Sequence, residues 1–305
     1  MKNILITGAR GFIGSNLKEY LELAKQEYKV FSPYHNELNL LDENMVKQYI
    51  LSNKIDVIIH AANVGGNRKV FEESTVENNL RMFFNLTRMK GHVEKIIHFG
   101  SGAEYDKRIP LVNVEEEEHG ILVPIDAYGF SKYVMSEYIK ETDNIICLRL
   151  FGVFGKYEDY EYKFLSNCIV KNIFNLPIKI IQNVYFDYLY ITDCLRAVEW
   201  FIQNNPKHKF YNLASGQRVD IRTLAEIVNN CGENKVPISV VNDGFNNEYT
   251  ASNDRIVKEI GCVNRTSNEE AIRDMYVYYN GIIDDIDYNK IFKDLYVGNC
   301  AINKN

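Results

Sequence analysis

The chain has 305 residues, 46% of them hydrophobic and 25% charged, which is enough apolar content for one large domain or a large and a small one. Its formal net charge of −6 leaves no surplus of Lys and Arg to neutralise a phosphate backbone, so a general nucleic-acid binder is excluded. No apolar stretch approaches the roughly 18 residues that span a bilayer. The first apolar run, residues 4–6, ends at a glycine turn with no charged leader before it. The expectation is a cytoplasmic protein without membrane contact.

Residues 2–7 are β-rich and read as a strand, residues 13–25 as a helix, and residues 28–32 as a second strand. Residues 41–52 have a helical pattern, residues 55–61 form an apolar strand, and residues 70–90 carry a helical stripe of Val76, Leu80, Phe83 and Phe84. A strand at 95–100, a helix at 127–141 and a strand at 144–150 continue the alternation. Continuous apolar strands separated by helices predict an α/β fold, a Rossmann-type doubly wound parallel sheet with helices on both faces. After Gly155 the pattern changes to a polar, tyrosine-rich loop at 156–163, a helical run to Phe174 and a strand at 178–181. Residues 210–213 read as one more core strand and 221–230 as a helix, and from Val236 short elements alternate irregularly. The expected division is residues 1–155 with 184–214 for a dinucleotide-binding domain, and 156–183 with 215–305 for a smaller, mostly C-terminal α/β substrate lobe.

Gly8, Gly11 and Gly14 follow the first strand and open a helix. The first glycine makes the tight turn, the second lets the backbone approach a pyrophosphate, and the third lets helix and strand pack closely. The helix N-terminus, from Phe12 and Ile13 onward, offers free N–H groups and a positive dipole end to the phosphates. A preference for NAD usually needs an acid at the end of the second strand, to hold the ribose hydroxyls. Here that strand runs into Ser32-Pro33-Tyr34-His35, while Arg10 inside the turn can face a 2′-phosphate. NADP(H) is therefore favoured over NAD(H).

Tyr128 and Lys132 are four residues apart on the helix at 127–141, hence on one face. A free phenol has a pKa of about 10, and a nearby ammonium is expected to lower it by favouring the phenolate. Lys132 can also hold the nicotinamide ribose. Ser101 ends the fourth parallel strand, where such sheets place their ligands, and its hydroxyl can hydrogen-bond a reacting carbonyl oxygen.

The glycine spacing resembles the extended short-chain dehydrogenases/reductases, the NAD-dependent epimerase/dehydratase type, over at least residues 2–261. Within that group, residues 37–42, the stretch Ala61-Ala62-Asn63-Val64-Gly65-Gly66, Asn79, and residues 149–155, 187–193 and 211–216 resemble the GDP-L-fucose synthases. The resemblance implies that Asp42 meets the adenine amine and that Ala61, Ala62 and Asn79 complete the cofactor site. It also implies that Val64, Gly65, Ala103 and Glu104 lie toward the substrate, and that the protein is a homodimer. Two departures define the expected chemistry. The synthases carry an acid/base cysteine two residues after the serine, where this chain has Ala103; their partner histidine falls near Lys163, and no histidine occurs between His119 and His208. Dehydratases have an Asp-Glu pair where Gly102-Ala103 stands. Gly152 and Phe186 replace an Asn and an Arg common in relatives, so the substrate diphosphate would rest on Lys156, Lys163, Lys171 or Arg218.

The expected activity is NADPH-dependent reduction of the C4 keto group of a nucleotide-activated sugar, GDP-linked by resemblance, without C3/C5 epimerisation. A deoxyhexose or heptose for a capsule or lipopolysaccharide would be the product. A 4-epimerase with tightly bound NAD and a non-enzymatic dinucleotide-binding protein are the alternatives. No metal is expected: the glutamate run 115–118 with His119 reads as a solvated loop, and the residues 157–162 as a cleft lining or a free loop. His60, in an apolar strand, reads as a core or site-edge histidine. The six scattered cysteines, Cys147, Cys168, Cys194, Cys231, Cys262 and Cys300, read as reduced thiols, mostly in the core.

Overall fold

The computed structural model describes residues 1–66 and 74–300. In chain order the first half runs β1 (Lys2–Thr7), α1 (Phe12–Leu23), β2 (Tyr28–Phe31), α2 (Glu43–Ser52), β3 (Val57–His60), α3 (Thr75–Thr87), β4 (Lys95–Ser101), β5 (Leu111–Val114), α4 (Ala127–Lys140) and β6 (Ile145–Leu150). The second half runs β7 (Gly152–Phe154), α5 (Phe164–Ile173), β8 (Ile178–Asn183), β9 (Tyr185–Tyr190), α6 (Ile191–Gln203), β10 (Phe210–Leu213), β11 (Arg218–Asp220), α7 (Ile221–Cys231), β12 (Ile238–Phe245), β13 (Tyr249–Ala251), α8 (Asp254–Ile260), α9 (Asn268–Gly281), α10 (Tyr288–Phe292) and α11 (Leu295–Gly298). The start of the helix expected at 70–90 lies in part outside the described residues; α3 itself begins at Thr75. Among the described residues no helix is long and apolar enough to cross a membrane.

The main sheet has six strands in the order β10-β6-β4-β3-β1-β2, and every neighbouring pair is parallel. Its apolar runs are continuous because both faces are covered. Alternate residues divide between two cores, as the two-residue repeat of a strand requires. Ile4, Ile6, Val57, Ile59, Ile97 and Leu148 pack against Leu17 and Leu21 of α1 and Val198 and Phe201 of α6. Leu5, Ile58, Ile96 and Ile145 pack against α2, α3 and α4 through Val46, Ile50, Phe83, Leu86, Met135 and Ile139. The chain leaves β1 for β2 on one side and for β3 on the other, so the crevice for a ligand opens at the carboxyl ends of β1 and β3.

A second sheet, ordered β11-β9-β13-β5 with β7 paired to β9, stands beside the carboxyl edge of the first, and β12 pairs with β8 in a third. Segment 184–214 is thus shared: β9 belongs to the second sheet, while β10 belongs to the first. The first apolar cluster extends unbroken from Ile4 to Leu224 of α7, Met275 of α9 and Tyr296, so the two regions are welded by one core. Gly152, where relatives have Asn, is explained by this join: a Cβ there would lie 2.3 Å from the Asp187 carbonyl oxygen across the β7–β9 pair.

The cysteines are free thiols, but only Cys147, Cys168 and Cys194 are buried; Cys262 is exposed in the turn after α8. The tyrosine-rich loop packs on its neighbours. Tyr157 bonds Glu19 of α1 and stacks edge-on at 5.5 Å against Tyr278, and Tyr160 meets Tyr279 at 6.3 Å.

Gly14 tests the packing of the first turn. A Cβ there would sit 2.2 Å from the Gly8 carbonyl oxygen and 2.8 Å from the Ala9 Cα. Helix propensity alone would make Gly14→Ala stabilising by about 1 kcal/mol. The clash is with backbone and cannot be relieved by a rotamer, so a net loss of about 1–3 kcal/mol is expected from denaturant midpoints. Unchanged or raised stability would contradict this packing.

Candidate active site

The turn between β1 and α1 has the shape of a dinucleotide cradle. Gly8 takes φ +68°, and a Cβ on it would lie 2.7 Å from the Ala62 nitrogen, so the turn rests directly on the chain leaving β3. The Gly11 N–H closes the turn onto the Gly8 carbonyl at 2.9 Å. α1 begins at Gly11 without a side-chain cap, which leaves its first N–H groups, from Phe12 and Ile13 on, directed at the crevice mouth. These features fit a nicotinamide dinucleotide, with the backbone of 8–14 against its pyrophosphate. Arg10 lies with its guanidinium carbon 3.9 Å from the centre of the Tyr34 ring, just past β2.

Four residues expected to line this site have structural work of their own. Asp42 caps α2, its Oδ1 accepting the Met45 N–H at 3.0 Å. Ala61 and Ala62 form the exit from β3, and the Ala62 N–H donates to the Thr7 hydroxyl at 3.3 Å. Asn79 is buried in α3 and clasps Val64 by both backbone groups, accepting its N–H at 2.7 Å and donating to its carbonyl at 2.9 Å. Asn79 thereby fixes the loop 64–66.

That loop leans on Tyr128. Gly65 and Gly66 have φ of +78° and +74°, and a Cβ on Gly66 would lie 2.9 Å from the Tyr128 ring. Ser101 and Tyr128 face each other, the serine hydroxyl within hydrogen-bonding reach of the phenol. Lys132, one turn along α4, is buried, donates to the Phe99 carbonyl at 2.7 Å and stands 5.9 Å from the centre of the Tyr128 ring. Burial pushes the Lys132 ammonium down to about 8, against the pull of Glu104. Burial likewise pushes the Tyr128 phenol up to about 12; the Ser101 hydrogen bond opposes this, and the Glu104 and Asp126 charges add to it. Lys132 is not among the groups that shift the phenol here, so the expected lowering gives way to the effect of burial. Tyr128 stays protonated at neutral pH, the state needed to donate a proton.

Glu104, expected toward the substrate, is fully buried beneath Ser101. Its Oε1 accepts the Ser101 N–H at 2.8 Å, and its Oε2 accepts the Ser136 hydroxyl at 2.5 Å and Arg149 Nε at 2.9 Å. Arg149 continues to the Tyr105 hydroxyl at 3.0 Å, which donates to Asn212 at 2.7 Å. The glutamate run is not wholly solvated either: Glu116 is buried and accepts the Asn212 N–H at 2.7 Å, and His119 is buried 3.6 Å from Glu104. The sequence signal for this network was Arg149 itself, a lone cation inside an apolar strand.

Ala103 is buried and offers no proton, its N–H donating to the Ser101 hydroxyl at 3.1 Å. The basic candidates separate. Lys171 is buried in an ion pair with Asp294 at 2.7 Å, and Lys156 is paired with Glu19, so neither is available to a diphosphate. Lys163 is exposed at the start of α5. Arg218 is half-exposed, lies 3.3 Å over the Tyr185 ring and bonds both Glu248 oxygens at 2.9 Å. Phe186 packs against Tyr188 and Tyr249. Tyr249, which the sequence reading missed inside the irregular C-terminal segment, brings its hydroxyl from β13 against Gly102, the residue after Ser101.

The family model described as the NAD dependent epimerase/dehydratase family matches residues 4–214. A trifunctional UDP-glucose 4,6-dehydratase/UDP-4-keto-6-deoxy-D-glucose 3,5-epimerase/UDP-4-keto-L-rhamnose-reductase of Arabidopsis thaliana is 23% identical over 91% of this chain, which spans 47% of that relative's length. GDP-L-colitose synthase of Yersinia pseudotuberculosis is 31% identical over 34% of this chain and 35% of its own. The structure of RMD from Pseudomonas aeruginosa complexed with NADPH superposes with a TM-score of 0.79 at 19% identity, over 92% of this chain and 99% of that one.

Two outcomes follow from the buried charges. Arg149→Met removes the counter-charge of Glu104 and should cost about 3–5 kcal/mol in denaturant unfolding; a smaller effect than Ala-for-surface substitutions would sink the network. His60 and His119 are held down to about 3 by burial, and His98, buried between His60 and Phe83 with neither ring nitrogen hydrogen-bonded, lies well below 6.5 for the same reason. Unfolded histidines bind a proton near pH 6.5 while these do not, so unfolding takes up protons and stability falls as pH drops from 6.5 toward 3. His98→Leu should make that acid-side decline shallower in midpoints measured between pH 7 and 4; an unchanged slope would contradict it.

Proposed function

The chain belongs to the NAD dependent epimerase/dehydratase family, and from that premise we propose that it is an NADPH-dependent 4-keto reductase of a nucleotide-diphosphate sugar that leaves C3 and C5 untouched. The observation that carries this reading is the grouping of Ser101, Tyr128 and Lys132 beside the cradle, with the inert, buried Ala103 where an epimerising acid would stand.

NADPH, when bound, supplies the hydride for the sugar carbonyl carbon. Tyr128 gives its phenolic proton to the oxygen as the alkoxide forms, and its high pKa keeps that proton available across the neutral range. Ser101 donates a hydrogen bond to the same oxygen, from a position fixed by Glu104 and Ala103. Lys132, anchored on the Phe99 carbonyl, is placed to hold the nicotinamide ribose and to stabilise the phenolate left behind. The preference for NADPH over NADH rests on Arg10 stacked on Tyr34 beside an acid-free end of β2. Lys163 remains as an exposed cation for the substrate diphosphate, and Arg218 would exchange its Glu248 partner for it. The GDP-linked choice draws on the likeness to GDP-L-colitose synthase. A cytoplasmic homodimer feeding surface polysaccharide synthesis completes the reading.

Consumption of NADPH with GDP-4-keto-6-deoxymannose, followed at 340 nm, tests it. Tyr128→Phe should lower kcat by about 10²–10⁴-fold with stability within about 0.5 kcal/mol of the parent. Near-normal turnover in that variant would remove the assignment. Arg10→Ala should raise KM for NADPH about tenfold or more while leaving KM for NADH unchanged. Purified protein carrying tight NAD and consuming no free cofactor would instead identify a 4-epimerase.

A further inference from the structure

The second sheet carries a row of aromatic rings up to Ser101. Along β9, Asp187 and Leu189 are buried, while Phe186 and Tyr188, on the alternate face, are only half-buried. β13 pairs with β9 so that Tyr249 lies directly beside Phe186, and both side chains therefore share that face. Phe151, from the junction of β6 and β7, joins them, and it too is half-buried. The ring centres follow one another at 5.0 Å from Phe151 to Tyr249, 5.3 Å from Tyr249 to Phe186 and 5.5 Å from Phe186 to Tyr188. One end of the row abuts the residue after Ser101. A Cβ added to Gly102 would lie 2.4 Å from the Tyr249 hydroxyl oxygen and 2.7 Å from the Phe151 ring.

The chemistry offered by this row is narrow. Phe151 and Phe186 have no hydrogen-bonding atom, and the faces of the tyrosine rings have none either. A hydroxyl or carboxylate laid on such a surface loses water and gains no partner. The negative ring faces instead attract the weakly positive C–H groups of an apolar edge. A sugar whose C4 carbonyl meets Ser101 and Tyr128 presents C3 with its hydroxyl on one side, and C5 with C6 on the other. An aromatic surface beside Ser101 suits the second side, and suits it best when C6 is a methyl group.

We propose that Phe186 and Tyr249, backed by Phe151, form a shelf for the C5–C6 edge of the sugar and select a substrate deoxygenated at C6. A hexose, a hexuronate or a heptose, each with oxygen on C6, is then disfavoured. The inference rests on the reductase reading of Ser101, Tyr128 and Lys132, which sets C4 beside the shelf.

Binding of saturated sugar nucleotides tests it without turnover. GDP-mannose and GDP-6-deoxymannose differ only by the oxygen on C6, and the same pair of glucose compounds exists with UDP or dTDP attached. In calorimetry with NADP-loaded protein, the 6-deoxy member of at least one pair should bind about tenfold to a hundredfold more tightly. Phe186→Gln should bring the two members within about twofold, while Phe186→Leu, still apolar, should keep most of the preference. Equal binding within every pair, no binding of any, or a preference unchanged in Phe186→Gln would overturn the proposal. A second measurement needs no variant. Irradiation of the protein's aromatic protons should transfer saturation to the C6 methyl of the bound sugar more strongly than to its C3 proton; the opposite order would overturn the proposal. A 6-deoxy preference in a protein that reduces no 4-keto sugar would uphold the shelf while the reductase reading fails.

Discussion

The structure around Ser101, at the end of β4, is tied together by the carboxylate of Glu104. This carboxylate is buried beneath the end of β4, holds the Ser101 backbone with one oxygen, and holds Ser136 of α4 and Arg149 of β6 with the other. Three elements that come from distant parts of the sequence are thereby fixed around Ser101. Burying the charge is costly, and only the nearby guanidinium and the completed hydrogen bonds offset that cost. Arg149 extends the tie to Tyr105 and Asn212, and so to β10 at the edge of the sheet. The positions of Ser101 and Tyr128 are therefore a property of a network, not of two side chains. Its rigidity lets a site held by few direct contacts keep a defined geometry.

The second constraint is topological. The reversal of strand order at β1 opens the crevice, and the glycines of the first turn bring backbone close enough to fill its floor. Asn79 then fastens the loop 64–66 over the Tyr128 ring, so the glycine turn and Tyr128 share a wall. The second sheet contributes from the other side, through Tyr249 and through Arg218 on Tyr185. One continuous apolar core keeps the two sides in register.

The sequence was most legible where a local rule governs structure. The apolar strands of the main sheet, the glycine turn and the Tyr128–Lys132 spacing each follow from neighbouring residues alone, and they fold within a residue or two of expectation. Legibility failed where long-range burial decides. Glu104 reads as an acid lying toward the substrate, yet Arg149, 45 residues away, holds it in the core. Glu116 sits in a run of four glutamates, and the Asn212 N–H together with the Arg255 guanidinium explains why it turns inward. Lys171 and Lys156 read as phosphate ligands until Asp294 and Glu19 claim them. The fall of Lys132 and the rise of Tyr128 are effects of burial, and no spacing rule carries them.

The central claim is reduction at C4 with the neighbouring carbons left alone, and the fate of solvent hydrogen tests it most directly. The protein would be incubated with NADPH and a GDP-4-keto-6-deoxyhexose in heavy water, and the reduced sugar weighed by mass spectrometry after back-exchange of its hydroxyl groups. The account predicts a reduced sugar with no carbon-bound deuterium, because Ala103 offers no acid or base to exchange protons at C3 or C5. Deuterium on carbon would contradict it, and would mean that another group in the cleft performs the epimerisation.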